Sequence, residues 1–148
     1  MTAADRYPKT VVLTDGAHLT LRLAADAARR GLAGDAAAAP AADLVVLACD
    51  GVRVAGELRL RRAADAATVT VALDPAYRGR RLGTWLLLDA VHAAEHFGVD
   101  RLIAEVGEGD RDLAAALVRL DFHDDAPPAG GHGARRLIKR IHRGWTDF

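Results

Sequence analysis

Alternating apolar and polar residues dominate the first half of the chain and predict an antiparallel sheet. The first two runs, within residues 10–24, flank Asp15 and Gly16, a dipeptide typical of a tight hairpin turn. An Ala-rich stretch at 24–39 then predicts a short helix. Three more strands are predicted at residues 42–51, 52–62 and 67–74.

The second half alternates between helices and strands. Apolar residues at helical spacing predict helices at 84–97 and 111–120, and Gly98 is a typical helix stop. Strands are predicted at 101–107, from Phe122 onward, and at 134–142, the last as an edge strand. The predicted order is therefore β-β-α-β-β-β-α-β-α-β-β, with neither an internal repeat nor a domain boundary.

Composition places this pattern in one small domain. At 148 residues, with 20 Lys and Arg against 20 Asp and Glu, the chain is expected to form a single domain spanning residues 1–148. The balanced charge argues against a nucleic-acid or membrane-surface binder, which is normally strongly basic. The lone Cys49 excludes an internal disulfide and fits a small buried side chain in a reducing compartment. No apolar run approaches the ~20 residues of a membrane span and residues 1–10 lack the apolar core of a signal peptide, so a soluble, cytoplasmic domain is expected.

Residues 74–85 (DPAYRGRRLGTW) carry the strongest chemical signal. A strand ends at Asp74, a loop with Gly79 and Gly83 follows, and a helix begins near Leu82. The backbone N–H groups at a helix start have no intrahelical partner and lie at the positive end of the helix dipole, so they bind phosphate groups well. A solvated turn with a helix cap would have a similar sequence, and both interpretations stay open for this segment alone. It lacks the Gly-x-Gly-x-x-Gly dinucleotide fingerprint and the Gly-Lys-Ser/Thr of a nucleoside-triphosphate loop.

The run RGRRLGT (78–84) resembles motif A of the GNAT acyltransferase superfamily, Arg/Gln-x-x-Gly-x-Gly/Ala. Residues 6–27 resemble the opening of bacterial protein-lysine acetyltransferase-like GNAT domains, and 54–60 resemble their third strand. Residues 102–122 resemble the stretch in which a strand ends in Glu-Val before a helix and a Leu-Gly-Phe. The resemblance implies an α+β fold, with a mixed, mostly antiparallel sheet of about seven strands, flanked by helices and splayed between the family's fourth and fifth strands.

The same resemblance implies a site for acyl-coenzyme A, with acetyl-coenzyme A or another short acyl-coenzyme A as cosubstrate and no metal. The splayed strands, here 67–74 and 101–107, open a V-shaped cleft that an acceptor amine enters from the other side to attack the thioester directly. The pantetheine arm is expected along Val71, Ala72 and Leu73, and Asp110 stands where the family has an Asn that contacts the pantetheine region. The pyrophosphate is expected on the loop residues Arg78, Gly79, Arg80, Arg81, Leu82, Gly83 and Thr84.

The chain departs from the family pattern at several site positions. Arg81 replaces a Gly of motif A, and Asp121 replaces the Gly before Phe122. Thr68 stands where the lysine-acetyltransferase branch has its general-base Glu. Since a Thr hydroxyl does not act as a base near neutral pH, Glu57 and Glu105 become the candidate bases, each relaying a proton through water. The alternative for both is a solvent-facing carboxylate at a strand end.

Other residues carry weaker signals. Tyr77 precedes the loop and is interpreted as a packing residue rather than the acid for the leaving thiolate. His92 and His96 lie four apart on one helix, a spacing that also suits a metal site. Because no carboxylate or Cys converges on them, a surface pair is expected. The basic run 135–143 is interpreted as the solvated face of an edge strand, with attraction of an acidic protein partner as the alternative.

Three functional hypotheses follow. The leading one is an acyl-coenzyme A-dependent N-acyltransferase whose acceptor is a protein lysine or a small amine. The second is a non-catalytic acyl-coenzyme A-binding sensor or interaction domain that has lost the usual base. In the third, Arg81 fills the phosphate site and cofactor binding is lost. A homodimer through the last strands is expected by analogy with the family only.

Overall fold

The computed structural model of the protein describes residues 7–29, 43–106, 111–124 and 135–141. Its elements follow the order predicted from the sequence. They are β1 Lys9–Val12, β2 His18–Leu23, α1 Ala24–Arg29, β3 Leu44–Asp50, β4 Arg53–Ala63, β5 Ala66–Leu73, α2 Leu82–Phe97, β6 Arg101–Val106, α3 Arg111–Arg119, β7 His123–Asp124 and β8 Arg135–Arg140. The rest of the Ala-rich stretch, up to residue 39, lies outside the described residues.

The described strands form one eight-stranded sheet in the spatial order β1-β2-β3-β4-β5-β6-β8-β7. Its neighbouring strands are antiparallel except for β5 and β6, which are parallel. The predicted α+β fold with a mixed, mostly antiparallel sheet is therefore confirmed, with eight strands where about seven were expected.

The prediction that the last strand lies at the sheet edge is wrong. β8 lies between β6 and β7, because the two residues of β7, His123 and Asp124, pair with Ile138 and Leu137 on its far side. Since β7 is so short, the pairing leaves both ends of β8 without a strand neighbour on that side among the described residues. Those ends carry the cations Arg135, Arg136, Lys139 and Arg140.

Strands β5 and β6 pair over only part of their length. Their register ends at Val69 and Ala104, although β5 continues to Leu73 and β6 to Val106. Each strand keeps its other partner beyond that point, since β4 pairs with β5 as far as Leu73 and β8 pairs with β6 as far as Val106. The sheet therefore opens between β5 and β6, which confirms the splay expected between the family's fourth and fifth strands.

Helix α2 packs across one face of the sheet and closes the main core. Its buried side includes Leu86 and Ala90, which belong to one apolar cluster with Leu58 and Leu60 of β4. Each fully buried Leu contributes roughly 1.5–3 kcal/mol relative to an exposed one. Gly98 ends the helix in a left-handed conformation with φ 71°, as its position in the sequence predicted. No helix in the described ranges is both long and apolar enough to cross a membrane.

A buried carboxylate on α2 ties the first strand to the helix. Asp89 is 1% exposed and accepts hydrogen bonds from the Tyr7 hydroxyl, at 3.0 Å, and from the Lys9 ammonium. The ammonium compensates the charge that burial would otherwise penalise. The Trp85 indole N–H donates to the Val12 carbonyl at 3.1 Å, which is a second link between α2 and β1. The local sequence pattern predicts neither link.

Cys49 lies in a second, smaller apolar cluster. It is buried together with Leu47, and Val54 and Ala24 at the start of α1 pack against the pair. Burial is the main cause that raises the pKa of its thiol above the usual value. The prediction of a small buried side chain at this position is confirmed.

Gly56 on β4 has little free space beside it, because side chains of Leu73 at the end of β5 and Leu82 at the start of α2 pack against it. A Cβ there would lie 3.0 Å from Leu73 Cδ2 and 3.2 Å from Leu82 Cδ2. We expect Gly56→Ala to lower the free energy of unfolding by about 1–3 kcal/mol, because overpacking forces these side chains to move. Urea denaturation measures the change.

Gly83→Ala is the matched control for this substitution. Its Cβ would lie 3.5 Å from Leu73 Cδ1 and 3.8 Å from Leu113 Cδ1, which is ordinary contact. The free energy of unfolding of this variant should stay within about 1 kcal/mol of wild type, since Ala also suits a helix better than Gly. Equal losses in the two variants would contradict the packing described here.

Candidate active site at the opening between β5 and β6

A short turn leads from the end of β5 to the start of α2. The Asp74 N–H donates to the Ala55 carbonyl at 2.8 Å, and the Asp74 carboxylate accepts from the Ala76 N–H at 2.9 Å. This carboxylate caps a 3₁₀ turn at Pro75–Tyr77. The pKa of Asp74 lies below its usual value. The main cause is the hydrogen bond from the Ala76 N–H, and the second is the hydrogen bond from the Arg53 guanidinium. The chain is thereby fixed before it enters the loop.

The first amides of α2 carry no partner within the described residues. The first intrahelical bond runs from the Trp85 N–H to the Arg81 carbonyl at 3.2 Å, so the N–H groups of Leu82, Gly83 and Thr84 precede it. Arg81 is the residue that caps the helix, and its side chain makes no capping hydrogen bond. Three free donors at the positive end of a 16-residue helix form an anion-binding arrangement.

A pocket of about 230 Å³ opens beside these amides. Six residues that sequence analysis assigned to the cofactor line it: Leu73, Gly79, Arg81, Leu82, Gly83 and Thr84. Helix α3 supplies the opposite wall with residues that the sequence analysis missed: Asp112, Leu113, Ala115, Ala116 and Arg119. Their spacing could have indicated this, because residues three, four and seven apart share one side of an α-helix.

The backbone of β5 presents polar groups to the opening. Antiparallel pairing alternates between residues whose N–H and C=O face the neighbouring strand and residues whose groups face away. Since the Asp74 N–H faces β4, the groups of Ala72 also face β4, and those of Val71 and Leu73 face the side where β6 has diverged. Val71 and Leu73 thus offer hydrogen bonds to a ligand in the opening, whereas Ala72 offers its exposed methyl group.

Arg81 adopts the conformation for which the family pattern uses glycine. Its φ is 69°, in the left-handed region that costs roughly 1–2 kcal/mol for a residue with a Cβ. Asp121, which also replaces a family glycine, has φ 68°. Glycine adopts such a φ without steric cost, which is a physical reason for the glycine of the family pattern at both positions. The Arg81 side chain is exposed and borders the pocket.

The other two loop arginines do not line this pocket. Arg80 pairs with Asp15 of the β1–β2 turn at 3.1 Å and lies over the Tyr77 ring, 5.3 Å from its centroid. Arg78 is exposed. The expectation that Arg78 and Arg80 contact the cofactor stays a prediction.

Tyr77 anchors the loop to the body of the sheet. Its ring is buried, its hydroxyl donates to Asp50 at 2.6 Å, and Arg53 lies 5.3 Å from its centroid. The pKa of the Tyr77 hydroxyl is raised, mainly by the hydrogen bond to Asp50 and secondly by burial. These contacts agree with the packing interpretation of Tyr77.

The two candidate bases lie on the same face of the sheet, opposite α2. Their strand neighbours Leu58 and Ala104 belong to the α2 core, and side chains alternate between faces. Glu57 is opposite Ala72 in the diverging half of β5, and Glu105 follows the last paired residue of β6. Glu105 therefore lies on a strand that borders the opening, and Glu57 lies one strand away from it on the same face.

Each candidate base has an arginine as neighbour. The Arg59 Nε donates to Glu57 Oε1, and the two side chains are 22% and 24% exposed. Glu105 is exposed and lies directly opposite Arg136 in the β6–β8 ladder. Glu57 is thus the more buried of the two, with one carboxylate oxygen held in place.

Thr68 lies in the closed half of the two strands. It pairs with Ile103 of β6, so it precedes the point where the strands part. The Asp110 position lies outside the described residues, and its expected contact with pantetheine stays a prediction.

The histidines do not form a metal site in the part of the chain that the structure describes. His92 lies 3.8 Å from Glu95 in an exposed pair, and His96 is exposed. No group of three His, Cys, Asp or Glu side chains with metal-binding geometry occurs among the described residues. His132 and His142 lie outside them.

Comparison with known proteins agrees with this geometry. Residues 16–122 match the model of the acetyltransferase (GNAT) family. The GNAT domain of S. lividans PAT has a similar structure, with a TM-score of 0.74 and 20% identity over 92% of this chain and 98% of that chain. The ribosomal-protein-S18-alanine N-acetyltransferase from Escherichia coli is also similar, with a TM-score of 0.58 and 24% identity over 72% and 74% of the two chains.

A third similar structure is yncA from Salmonella typhimurium, a putative acetyltransferase with its cofactor acetyl-CoA. Its TM-score is 0.63, with 17% identity over 86% of this chain and 96% of that chain. Among curated proteins, none matches the sequence significantly.

The left-handed conformation of Arg81 predicts how two substitutions differ. Arg81→Gly should raise the free energy of unfolding by about 1 kcal/mol, because glycine adopts this φ without steric cost. Arg81→Ala removes the same guanidinium but keeps the strained backbone, so its stability should stay near that of wild type. Urea denaturation of the three proteins measures this, and equal stability of the two variants would contradict the assigned conformation.

Proposed function

The chain belongs to the acetyltransferase (GNAT) family, and from that premise we propose that it transfers an acetyl or other short acyl group from coenzyme A to a primary amine. The acceptor that we propose is a protein lysine or a small amine. The observation that carries the proposal is the early end of the β5–β6 pairing beside the free amides of α2.

The residues at this corner fit an acyl-coenzyme A. The amides of Leu82, Gly83 and Thr84 suit the pyrophosphate, and the exposed Arg81 adds a positive charge at the same wall. The backbone groups of Val71 and Leu73 suit the amides of the pantetheine arm, which would take the place of β6 in the ladder. The pocket beside the helix is open, which favours cofactor binding over a phosphate site filled by Arg81.

The proposed reaction is a direct acyl transfer in a ternary complex. The acceptor nitrogen, after losing a proton to Glu57 or Glu105 through water, attacks the thioester carbonyl. A backbone N–H of Val71 or Leu73 stabilises the developing oxyanion. The C–N bond forms and the C–S bond breaks, and the proton that the attacking nitrogen then loses passes through water to the thiolate, which leaves as coenzyme A. The protein contributes mainly by holding the two substrates in the correct orientation.

The candidate bases enter this scheme from the acceptor side. Both carboxylates lie on the face opposite α2, so an amine that reaches the opening from that face meets them first. We favour Glu57, because it is the less exposed of the two and Arg59 holds its carboxylate in a fixed orientation.

One observation favours a second function. By its resemblance to the lysine-acetyltransferase branch, the chain has Thr68 where that branch has its general-base Glu, and a Thr hydroxyl does not act as a base near neutral pH. A chain with the cofactor site but no base would bind acyl-coenzyme A as a sensor or interaction domain without turning it over.

One of the similar structures indicates a class of acceptor. The E. coli enzyme named above is described as acting on an alanine of a ribosomal protein, which favours a protein amine by analogy with its fold. The expected homodimer through the last strands stays a prediction.

Cofactor binding is tested by calorimetric titration with acetyl-coenzyme A. Wild type should bind it, and Gly83→Asp should weaken the affinity at least about tenfold, because a carboxylate at this position repels the pyrophosphate. Val52→Asp adds the same charge at a residue that is 88% exposed in the β3–β4 turn and should bind like wild type. Absence of heat for wild type at high ligand concentration would overturn both cofactor-dependent functions.

Turnover is tested by thiol release with a panel of small amines and lysine peptides. If Glu57 is the base, Glu57→Gln should lower kcat by about 100-fold or more and leave the affinity for acetyl-coenzyme A nearly unchanged. The same result for Glu105→Gln would assign the role to Glu105 instead. Glu95→Gln, at an exposed carboxylate on α2, is the control.

Two outcomes would decide against parts of this proposal. Unchanged rates in both the Glu57 and Glu105 variants would show that neither is the base. Binding of acetyl-coenzyme A without thiol release for any acceptor would favour the non-catalytic function.

A further inference from the structure

Helix α3 presents a continuous stripe to the cofactor pocket. Asp112, Ala115, Ala116 and Arg119 lie on one side of the helix and line the pocket opposite the start of α2. The two alanines leave room between the helices, and the charged residues stand at the two ends. Asp112 and Arg119 are seven positions apart, which is about 10 Å along the helix axis.

One end of the stripe on α3 lies close to the amides of α2, and the other end lies far from them. Leu113, near the first end of the stripe, lies 3.8 Å from the position that a Gly83 Cβ would take. Arg119 therefore stands at the far end of the stripe, roughly 9 Å along the axis from Leu113. A ligand that starts at the amides and follows α3 reaches the Arg119 guanidinium last.

Arg119 has a charge that no described residue neutralises. It is exposed, and the structure shows neither an ion pair nor a hydrogen bond between its side chain and any described residue. Glu95 and Asp121 share a neighbouring pocket with it, yet neither forms an ion pair with it. Arg81 and Arg119 are the arginines that border the cofactor pocket within the described residues, and they lie on opposite walls.

The chemistry of coenzyme A matches this arrangement, on the premise that the proposed function is correct. The pantetheine arm leaves the diphosphate toward the opening between β5 and β6, so the nucleotide half must leave in another direction, and the stripe on α3 provides one. The one anionic group of that half beyond the diphosphate is the phosphate on the 3′ position of the ribose. A guanidinium binds such a phosphate through two parallel hydrogen bonds.

We propose that Arg119 binds the ribose 3′-phosphate of the acyl donor and so selects coenzyme A over donors that lack this group. The binding determinants then lie on both helices that border the pocket, with the diphosphate on α2 and the 3′-phosphate on α3. No bond is made or broken at Arg119, whose part is in donor recognition alone.

A purely structural role for Arg119 makes a different prediction. It lies in the last turn of α3, where a positive charge stabilises the helix through its dipole. Such a role would change the stability of the protein but would not distinguish between two ligands that differ by one phosphate. The experiment therefore compares ligands as well as variants.

The test is calorimetric titration of the full chain with coenzyme A and with dephospho-coenzyme A. Wild type should bind coenzyme A about tenfold more tightly, as expected for one charge-assisted phosphate contact. Arg119→Ala should have about tenfold lower affinity for coenzyme A than wild type and should bind dephospho-coenzyme A like wild type. Arg119→Lys, which keeps the charge but not the paired donors, should retain part of the preference.

Arg61→Ala is the matched control. It removes the same charge from an exposed position on β4. The register partner of Arg61 is Thr68, which lies where β5 and β6 are still paired, away from the opening. It should bind both ligands like wild type. A second titration series at higher salt should reduce the preference of wild type for coenzyme A and leave the preference of Arg119→Ala unchanged.

Each other outcome overturns the assignment. If Arg119→Ala binds both ligands like wild type, or loses the same factor for both, Arg119 does not contact the 3′-phosphate. If wild type binds dephospho-coenzyme A but shows no preference, the pocket does not recognise that group at all, while the proposed function stands. If wild type binds neither ligand, the proposed function fails, and the role of Arg119 fails with it.

Discussion

The structure depends on where two parallel strands stop pairing. Up to Val69 and Ala104 the backbone groups of β5 and β6 satisfy each other, and beyond that point they do not. An open ladder would normally close, because unpaired backbone groups are costly where water is excluded. Here each strand is held on its other side, by β4 and by β8, so neither can turn back without breaking an intact ladder. The opening is therefore a stable property of the sheet, and it lies next to the start of α2.

The loop that follows β5 is held by contacts with two hairpin turns. Tyr77 donates to Asp50 at the end of β3, next to one turn, and Arg80 pairs with Asp15 in the other. Arg53 joins the Tyr77 ring to Asp74, where it donates to the carboxylate at 2.9 Å. Such a framework explains how a left-handed residue with a side chain persists at the start of the helix. The first N–H groups of α2 are thus already oriented before a ligand binds, which lowers the entropic cost of binding.

Much of this fold could be predicted from the sequence, because its determinants are local. The hairpin at Asp15 and Gly16, the helix stop at Gly98 and the order of elements all follow from turn chemistry and periodicity. The splay did not follow from periodicity and was expected only through the resemblance of the chain to the family. Both kinds of prediction were confirmed.

The misses concern relations between distant residues. The bonds of Asp89 to Tyr7 and Lys9 join residues at least 80 positions apart, and nothing local signals them. The position of β8 inside the sheet depends on strand order, which the apolar pattern of one strand does not report. The wall that α3 contributes to the pocket required knowing which side of that helix faces α2. In each case the residues themselves are visible in the sequence, but which distant residue or element they contact is not.

The charged ends of β8 have a consequence for self-association. Two copies that met along this strand in an antiparallel, twofold arrangement would set Arg135 against Arg140 and Arg136 against Lys139. Like charges would face each other on both sides of the symmetry axis, and each copy would also have to displace its own β7. The strand therefore resists fibre-like growth through its backbone, and a pairing of two copies along it would require β7 to move, the Arg135–Asp124 ion pair to break and anions to lie between the cationic rows.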